Sequence, residues 1–452
     1  MQALRLADIA QYLQAPLSAG GEAVQVLDVC TDTRTLSAQA LFVALVGPRF
    51  DGHEFIAAAR GAGAAAVLVE REGDWPLPYI VVPDTRLALG RIARLVRERS
   101  RARVIGVTGS NGKTTVKEMS ASILAQVGPT LATQGNLNNE IGVPLTLFRL
   151  EPEHAYAVIE MGASAIGDID YLATIAQPDV GVVTNAGPAH LEGFGSLEGV
   201  ARGKGEMFAA LAPGAAAVVN ADDQYAPLWR ELAGNRRVLD FGLSKLAAVR
   251  AIAPSSDGFT LRTPQGEARV RLPLPGRHNV LNALAAAAAA TALDVPLEHI
   301  VAGLEAVPTV KGRLARVPAE GGAYVLDDSY NANPNSLRAG LEVLAAEPVA
   351  RRFLVLGDMA ELGADAEALH AAAGDWAREA GVEQLFALGD MARLAAERFG
   401  AGGRAFTDKQ DLTEALRAVL AEDVAVLVKG SRCMAMEQVV AEISARSNEA
   451  ES

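Results

Sequence analysis

The clearest chemistry in the sequence lies in one short segment, GSNGKTT at residues 109–115. It follows an apolar run, Val104–Val107, and opens a stretch of helical character. Strand, glycine-rich turn and helix in that order gather backbone N–H groups around an anion, and the helix dipole adds to the attraction. Gly109, Ser110, Asn111, Gly112, Lys113, Thr114 and Thr115 are therefore the candidate phosphate-binding residues. Lys113 can reach the outer phosphates, and the Thr114 hydroxyl can ligate Mg²⁺. In the usual Walker A spacing a glycine stands five positions before the second one; here that position is Val107, and the loop is a shorter G-x-x-G-K-T. No N-K-x-D segment that would read guanine occurs, so ATP is the expected nucleotide.

Phosphate binding alone names no reaction. Glu160, in VIEMG, ends a strand candidate in the same region, and its natural place is the carboxyl edge of the sheet. His190, in TNAGPAHLE, also follows a strand candidate. A carboxylate and an imidazole suit Mg²⁺ within a mixed shell of phosphate and water. Each serves equally well as a structural group. Lys204, in RGKGE, reads by default as a helix-surface lysine.

These residues need elements to position them. At about 150 residues per domain, 452 residues suggest about three domains. In the first hundred, VQVLDVCTDT, ALFVALVG, AAAVLVE and PYIVV read as strands, and HEFIAAARGAG and LALGRIARLVRERSR as helices. The second unit begins at the glycine loop and alternates strand and helix; after Asp240 it becomes strand-rich, and HNVLNALAAAAAATAL follows as a strong helix. The third carries RRFLVLGDM, EQLFALGD and DVAVLVKGS as strands separated by helix-length segments, a doubly wound pattern. The expected fold is α/β with boundaries at 1–100, 101–310 and 311–452. Its centre is a P-loop ATPase-like parallel sheet, and its C-terminal domain is Rossmann-like.

Composition narrows the function. With 41 Lys+Arg against 54 Asp+Glu the net charge is −13, which argues against coating nucleic acid or an anionic membrane. Two cysteines, Cys30 and Cys433, lack metal-site or disulfide-framework spacing. The N-terminus reads as a short amphipathic helix, and Ala283–Leu293 is too short to span a bilayer. A cytoplasmic protein, a monomer without membrane insertion, is expected. The sequence has only seven lysines, so those inside motifs stand out.

VTGSNGKTT, TQGNLNNEIGVP, IEMG, TNAGPAHLEGFGS, ARGKGE, PGRHNVLNALAA, KGR and DDSYNANPNS resemble, in order and spacing, the motifs of the Mur ligases. The resemblance runs over essentially the whole chain. DSYNANPNS and GDMAELG are most similar to the branch that adds D-alanyl-D-alanine to UDP-MurNAc-tripeptide, which implies those two substrates together with ATP and Mg²⁺. It further implies that Glu160, His190 and Lys204 serve the metal with Thr114, Lys204 as a carbamate, and that Lys113 is catalytic. Asn279 and Asn282 would read adenine, Arg313 the phosphates and Asp328 the ribose. Thr33, Arg34, Phe42, Ala44, Gly52 and His53 would meet the UDP end. Thr133, Asn136 and Asn139 would face the sugar–peptide, with Asn333 and Lys429 as further substrate contacts. The alternatives are another ATP-dependent amide ligase, such as a different Mur ligase or a folylpolyglutamate synthase, which usually has D-x-A-H-N-P where this chain has DSYNANP, and a nucleotide-dependent switch protein.

Overall fold

The computed structural model describes residues 1–255 and 258–445. Three sheets, each mainly parallel, follow one another along the chain. The first runs in the order Asp28–Cys30, Ala40–Val43, Ala66–Val69, Tyr79–Val81, with every pair parallel. The expected strand VQVLDVCTDT is split. Gln25–Val26 pairs antiparallel with Leu4–Arg5, while Asp28–Cys30 joins the first sheet. Val26 and Val29 are both buried and Leu27 is 44% exposed. An odd spacing between inward residues cannot be met by one continuous strand of period two.

The second sheet has nine strands in the order Thr130–Ala132, Tyr156–Glu160, Arg103–Thr108, Val180–Val183, Ala216–Asn220, Arg237–Gly242, Val249–Ser255, Gly258–Thr263, Gly266–Val270. Pairing is parallel as far as Val249–Ser255, and the last two strands return antiparallel. The strand-rich stretch after Asp240 is thus an extension of the sheet edge. From Arg103–Thr108 the chain first builds one flank and then the other. Ligands of open α/β sheets bind at such a reversal, beyond the carboxyl ends of the strands. The pairing sets Glu160 beside Val107 and Val183 beside Thr108, so both flanking strands end level with the start of the glycine loop.

The third sheet runs Ala315–Pro318, Tyr324–Asp328, Val424–Lys429, Arg351–Gly357, Gln384–Leu388, Gly403–Phe406, all parallel except the first pair. Two apolar clusters drawn from Leu314 onward cover its faces. By contrast, one continuous apolar core takes in Leu4, Leu68 and Ile92 of the first unit with Ile159, Phe208 and Trp229 of the second. The first two units are welded together, and the third keeps its own core. Among the described residues no helix is long and apolar enough to cross a membrane.

The helix opened by the glycine loop, Lys113–Ala125, is gripped by two others. Arg277–Ala292 buries every residue from Asn282 to Ala292. Its alanines, chosen in the sequence for helix propensity, act as small side chains that let backbones approach. In Leu297–Glu305, Gly303 does the same: a Cβ there would stand 2.3 Å from Ile123 Cα. Gly303→Ala should therefore force the two helices apart, at a cost of about 1–3 kcal/mol. A thermal melt followed by circular dichroism checks this, and an unchanged midpoint would mean that the helices can separate freely.

Candidate active site

The glycine loop is shaped by the segment after the strand Val180–Val183. Gly109, at φ 141°, lies so close to Thr184 that a Cβ would stand 1.9 Å from its hydroxyl. Gly112, at φ 81°, meets Asn282 in the same way at 2.3 Å. Only glycine fits either place. The Thr184 hydroxyl donates to the Asn111 carbonyl (2.6 Å), and the Asn111 N–H donates to Asn185 Oδ1 (3.0 Å). Ser110 N–H donates to the Asn185 carbonyl at 3.0 Å, and its hydroxyl bonds both backbone groups of Gly187. The backbone donors of Ser110 and Asn111, expected to face phosphate, are thus committed inside the protein. The anion-binding donors that remain include Gly112 and the first helical turn, Lys113 to Thr115, ahead of the bond from Val116 N–H to Gly112 (2.8 Å). Lys113 folds back, its ammonium donating to the Gly109 carbonyl at 2.8 Å. Burial holds its pKa below the usual lysine value, against the opposing charge of Glu160.

Two cavities meet at this loop. One, of about 340 Å³, is lined by Thr115, Asn185, Asp223, His278, Asn279, Asn282, Asp328 and Lys429. The other, of about 330 Å³, is lined by Lys113, Asn136, Asn138, Asn139, Glu160, His190 and Asn333. Asn111, Gly112, Thr114, Arg313 and Ser336 belong to both walls. Residues as far apart along the chain as Asn111 and Lys429 therefore share one crevice.

Each polar group has a specific support. Asn138 donates to Glu160 Oε1 at 2.8 Å, and the Glu160 N–H donates to the buried Thr133 hydroxyl at 3.0 Å. Glu160 Oε2 is buried with no partner in the protein, an acceptor oxygen held ready for a cation. Among the described residues no three His, Cys, Asp or Glu side chains converge here. Thr133 positions Glu160 instead of facing the cavity, and Asn139 Oδ1 accepts the Gly142 N–H (2.9 Å). Lys204 is 1% exposed and lines neither cavity; its ammonium ends on the Ala163 carbonyl (3.0 Å), which does line the second. Burial, reinforced by the charge of Lys113, brings its pKa down to about 7. Burial likewise holds the His190 imidazole below its ordinary value, and Glu361 opposes this.

The third unit reaches the loop with polar groups. Arg313 lies over the Tyr330 ring (4.2 Å) and donates to the Thr114 hydroxyl at 3.4 Å. Asn333 caps the helix Pro334–Ala346 and donates from Nδ2 to Asn111 Oδ1 at 2.7 Å. Lys429 and Asp328 form a buried ion pair, and Lys429 also donates to the Asn331 carbonyl (3.0 Å). Burial lowers the Lys429 pKa and the Asp328 charge raises it. Asn279 donates to the Pro275 carbonyl (2.7 Å) and accepts from Asn282 (3.1 Å), so much of the expected adenine-reading capacity is engaged locally.

Comparison with known proteins now decides the family. Residues 27–97, 107–290 and 312–432 match the Mur ligase family catalytic domain, the Mur ligase middle domain and the Mur ligase glutamate ligase domain. UDP-N-acetylmuramoyl-tripeptide–D-alanyl-D-alanine ligase of Escherichia coli is 47% identical over 419 residues, covering 91% of this chain and 92% of that one. The chain belongs to the Mur ligase family. A crystal structure of MurF from Acinetobacter baumannii superposes with a TM-score of 0.92 at 38% identity, covering 98% of this chain and 99% of that one. MurF ligase from Thermotoga maritima in complex with ADP gives 0.82 at 28% identity over 92% and 96%.

In this Mur ligase the first-unit candidates separate into two groups. Arg34 is exposed and forks onto Asp32, whose pKa it pulls down to about 2; Thr33 beside it is half-buried. Phe42 and Ala44 are buried in the core, so they offer ligand only backbone. His53 is buried as well, bonded to Asp51 through Nδ1 (2.5 Å) and accepting the Glu70 N–H at Nε2 (3.0 Å). A Cβ on Gly52 would strike the Leu45 carbonyl at 2.6 Å, so that glycine serves the chain's own packing. Asn138, Thr184 and Asn185 are the supports that residue types alone did not single out. The Asn-rich turn and the TNAG segment marked their neighbourhood but not their partners. Asn138→Ala leaves Glu160 without a side-chain donor and should destabilise the protein by about 1–3 kcal/mol. Urea denaturation measures this; a midpoint equal to wild type would show that Glu160 is held by its backbone alone.

Proposed function

We infer that this Mur ligase is the ATP-dependent enzyme that joins D-alanyl-D-alanine to UDP-MurNAc-tripeptide. The observation that carries the reading is the pair of cavities sharing the helix N-terminus of the glycine loop as a common wall. A nucleotide in the first and a carboxylate in the second would meet across Thr114 and Arg313. The likeness to relatives named for this reaction supports the choice of substrates.

The tripeptide carboxylate attacks the γ-phosphorus, the bond to ADP breaks, and an acyl phosphate forms. The D-alanyl-D-alanine amine then attacks the acyl carbon, loses a proton, and phosphate leaves as the amide closes. The first step brings two anions together, and the cost is electrostatic. Lys113, Arg313 and the N–H groups of the first helical turn supply fixed positive charge there. Thr114, Glu160 and His190 would hold Mg²⁺, which when bound neutralises phosphate charge. Lys204, brought to about 7, is a ready site for carbamate formation because its neutral amine is well populated near neutral pH. The carbamate would turn a buried cation into an anion facing the metal side. Asp328 and Asn279 line the nucleoside end, and Arg34 with Thr33 offers the exposed polar contact for the UDP end. The third unit, joined through polar groups, would cover the acyl phosphate and exclude water.

The direct test is ADP release with each of the three substrates omitted in turn; release without D-alanyl-D-alanine at the full rate would overturn the reading. Lys113→Ala should lower ligation by at least about a hundredfold, the scale of losing one charge-stabilising donor. Survival within tenfold removes Lys113 from the site. Lys204→Ala should lose activity that short carboxylic acids restore, and full activity without them excludes the carbamate.

A further inference from the structure

The segment GDMAELG, residues 357–363, has no part in the reaction as described so far. It forms the loop after the strand Arg351–Gly357, at the edge of the third sheet that faces the second unit. The loop is rigidly tied down. Met359 N–H donates to Nε2 of the fully buried His370 (2.9 Å), whose Nδ1 donates to the Ala366 carbonyl (2.7 Å). Ala360 N–H donates to the Ser431 hydroxyl at 2.8 Å. Met359 and Leu362 sink into the apolar core. Glu361, between them, is turned outward at φ 62°, a left-handed conformation that a non-glycine residue keeps only where its surroundings enforce it.

Outward here means across the junction. Glu361 Oε2 lies 2.5 Å from Nδ1 of His190, which is itself left-handed at φ 54°. At the same crossing a Cβ on Gly363 would stand 4.0 Å from Glu192 Cγ. The Glu361 side chain is 55% exposed, and an ion pair so wet adds little stability. Its geometric effect is large. An imidazole that donates Nδ1–H to a carboxylate has a fixed ring plane and tautomer, and its Nε2 lone pair becomes the better donor.

We propose that Glu361 is a positioning residue for His190: it fixes the proton on Nδ1 and presents Nε2 to the second cavity, and it does so only when the third unit is docked. Docking would then complete both cavities at once, through Arg313 on Thr114 and through Glu361 on His190. The expected rate effect rests on the ligase reading; the ring geometry does not.

The test uses the full chain labelled with ¹⁵N-histidine in Mg²⁺-free buffer, so that no metal on Nε2 sets the tautomer by itself. Long-range ¹H–¹⁵N spectra should show His190 as the Nδ1–H tautomer in wild type and in Glu361→Gln, whose amide oxygen still accepts. Glu361→Ala should give a tautomer mixture. In steady-state assays Glu361→Ala should lower kcat about tenfold or more, with KM for ATP within about twofold, while Glu361→Gln keeps most of the rate. Identical His190 signals in wild type and Glu361→Ala would overturn the proposal whatever the rates, as would Glu361→Gln failing as badly as Glu361→Ala. A chain with no ligase activity at all would instead sink the functional reading, and the spectra would still decide this one.

Discussion

The packing of the glycine loop against Thr184–Gly187 is the constraint on which the rest of the site depends. Two absent Cβ atoms let the loop touch Thr184 and Asn282, and a lattice of short hydrogen bonds from Thr184, Asn185 and Gly187 then leaves it a single shape. This lattice uses up backbone donors that a bare loop would offer to phosphate. What it provides in return is a helix start aimed along a fixed line, with Glu160 and Thr184 level on either side. Preorganised donors need no rearrangement when charge develops, which is where such a site gains over water.

Around that fixed point the three units are attached by different physics. The first and second share an apolar core, so the face that carries Arg34 cannot swing relative to the glycine loop without exposing buried side chains. The third touches the loop through Asn333–Asn111, Arg313–Thr114 and Glu361–His190, all polar and all able to trade for water. A rigid base with a polar, separable cover suits a reaction whose intermediate must be shielded and whose product must leave.

Much of this could be read from the sequence, for physical reasons that also explain where reading stopped. The glycine loop announced itself because a strand, two glycines, a lysine and a helix must be contiguous to work. The alternation of strands and helices gave the α/β class and the three segments for the same reason, since periodicity is local. Partners distant in sequence left no such trace. Nothing in the residue types says that Asn138 rather than Asn139 holds Glu160, or that the Ser110 N–H is spent on Asn185. The resemblance implied that His53 meets the UDP end; the structure turns its ring inward, onto Asp51 and the Glu70 amide. Lys204 looked like a surface lysine, and only burial under Phe194 and Ala163 shows why its motif is unusual.

The core shared by the first two units has a consequence for how the protein is made. Its residues run from Leu4 to Ala233. While the ribosome is still extending the second unit, helix Thr85–Arg99 has Leu6–Leu13 to pack against but lacks its second-unit partners, Gly142–Leu147 and Asp168–Ala176. At about 5–20 residues per second the side that meets them stays uncovered for on the order of ten seconds. Apolar surface left bare in this way is the kind that holdase chaperones grip and that aggregation recruits. The same welding that keeps the donor end in register with the glycine loop therefore makes the nascent chain dependent on protection early in its synthesis. The third unit, carrying both of its own apolar faces, escapes that interval.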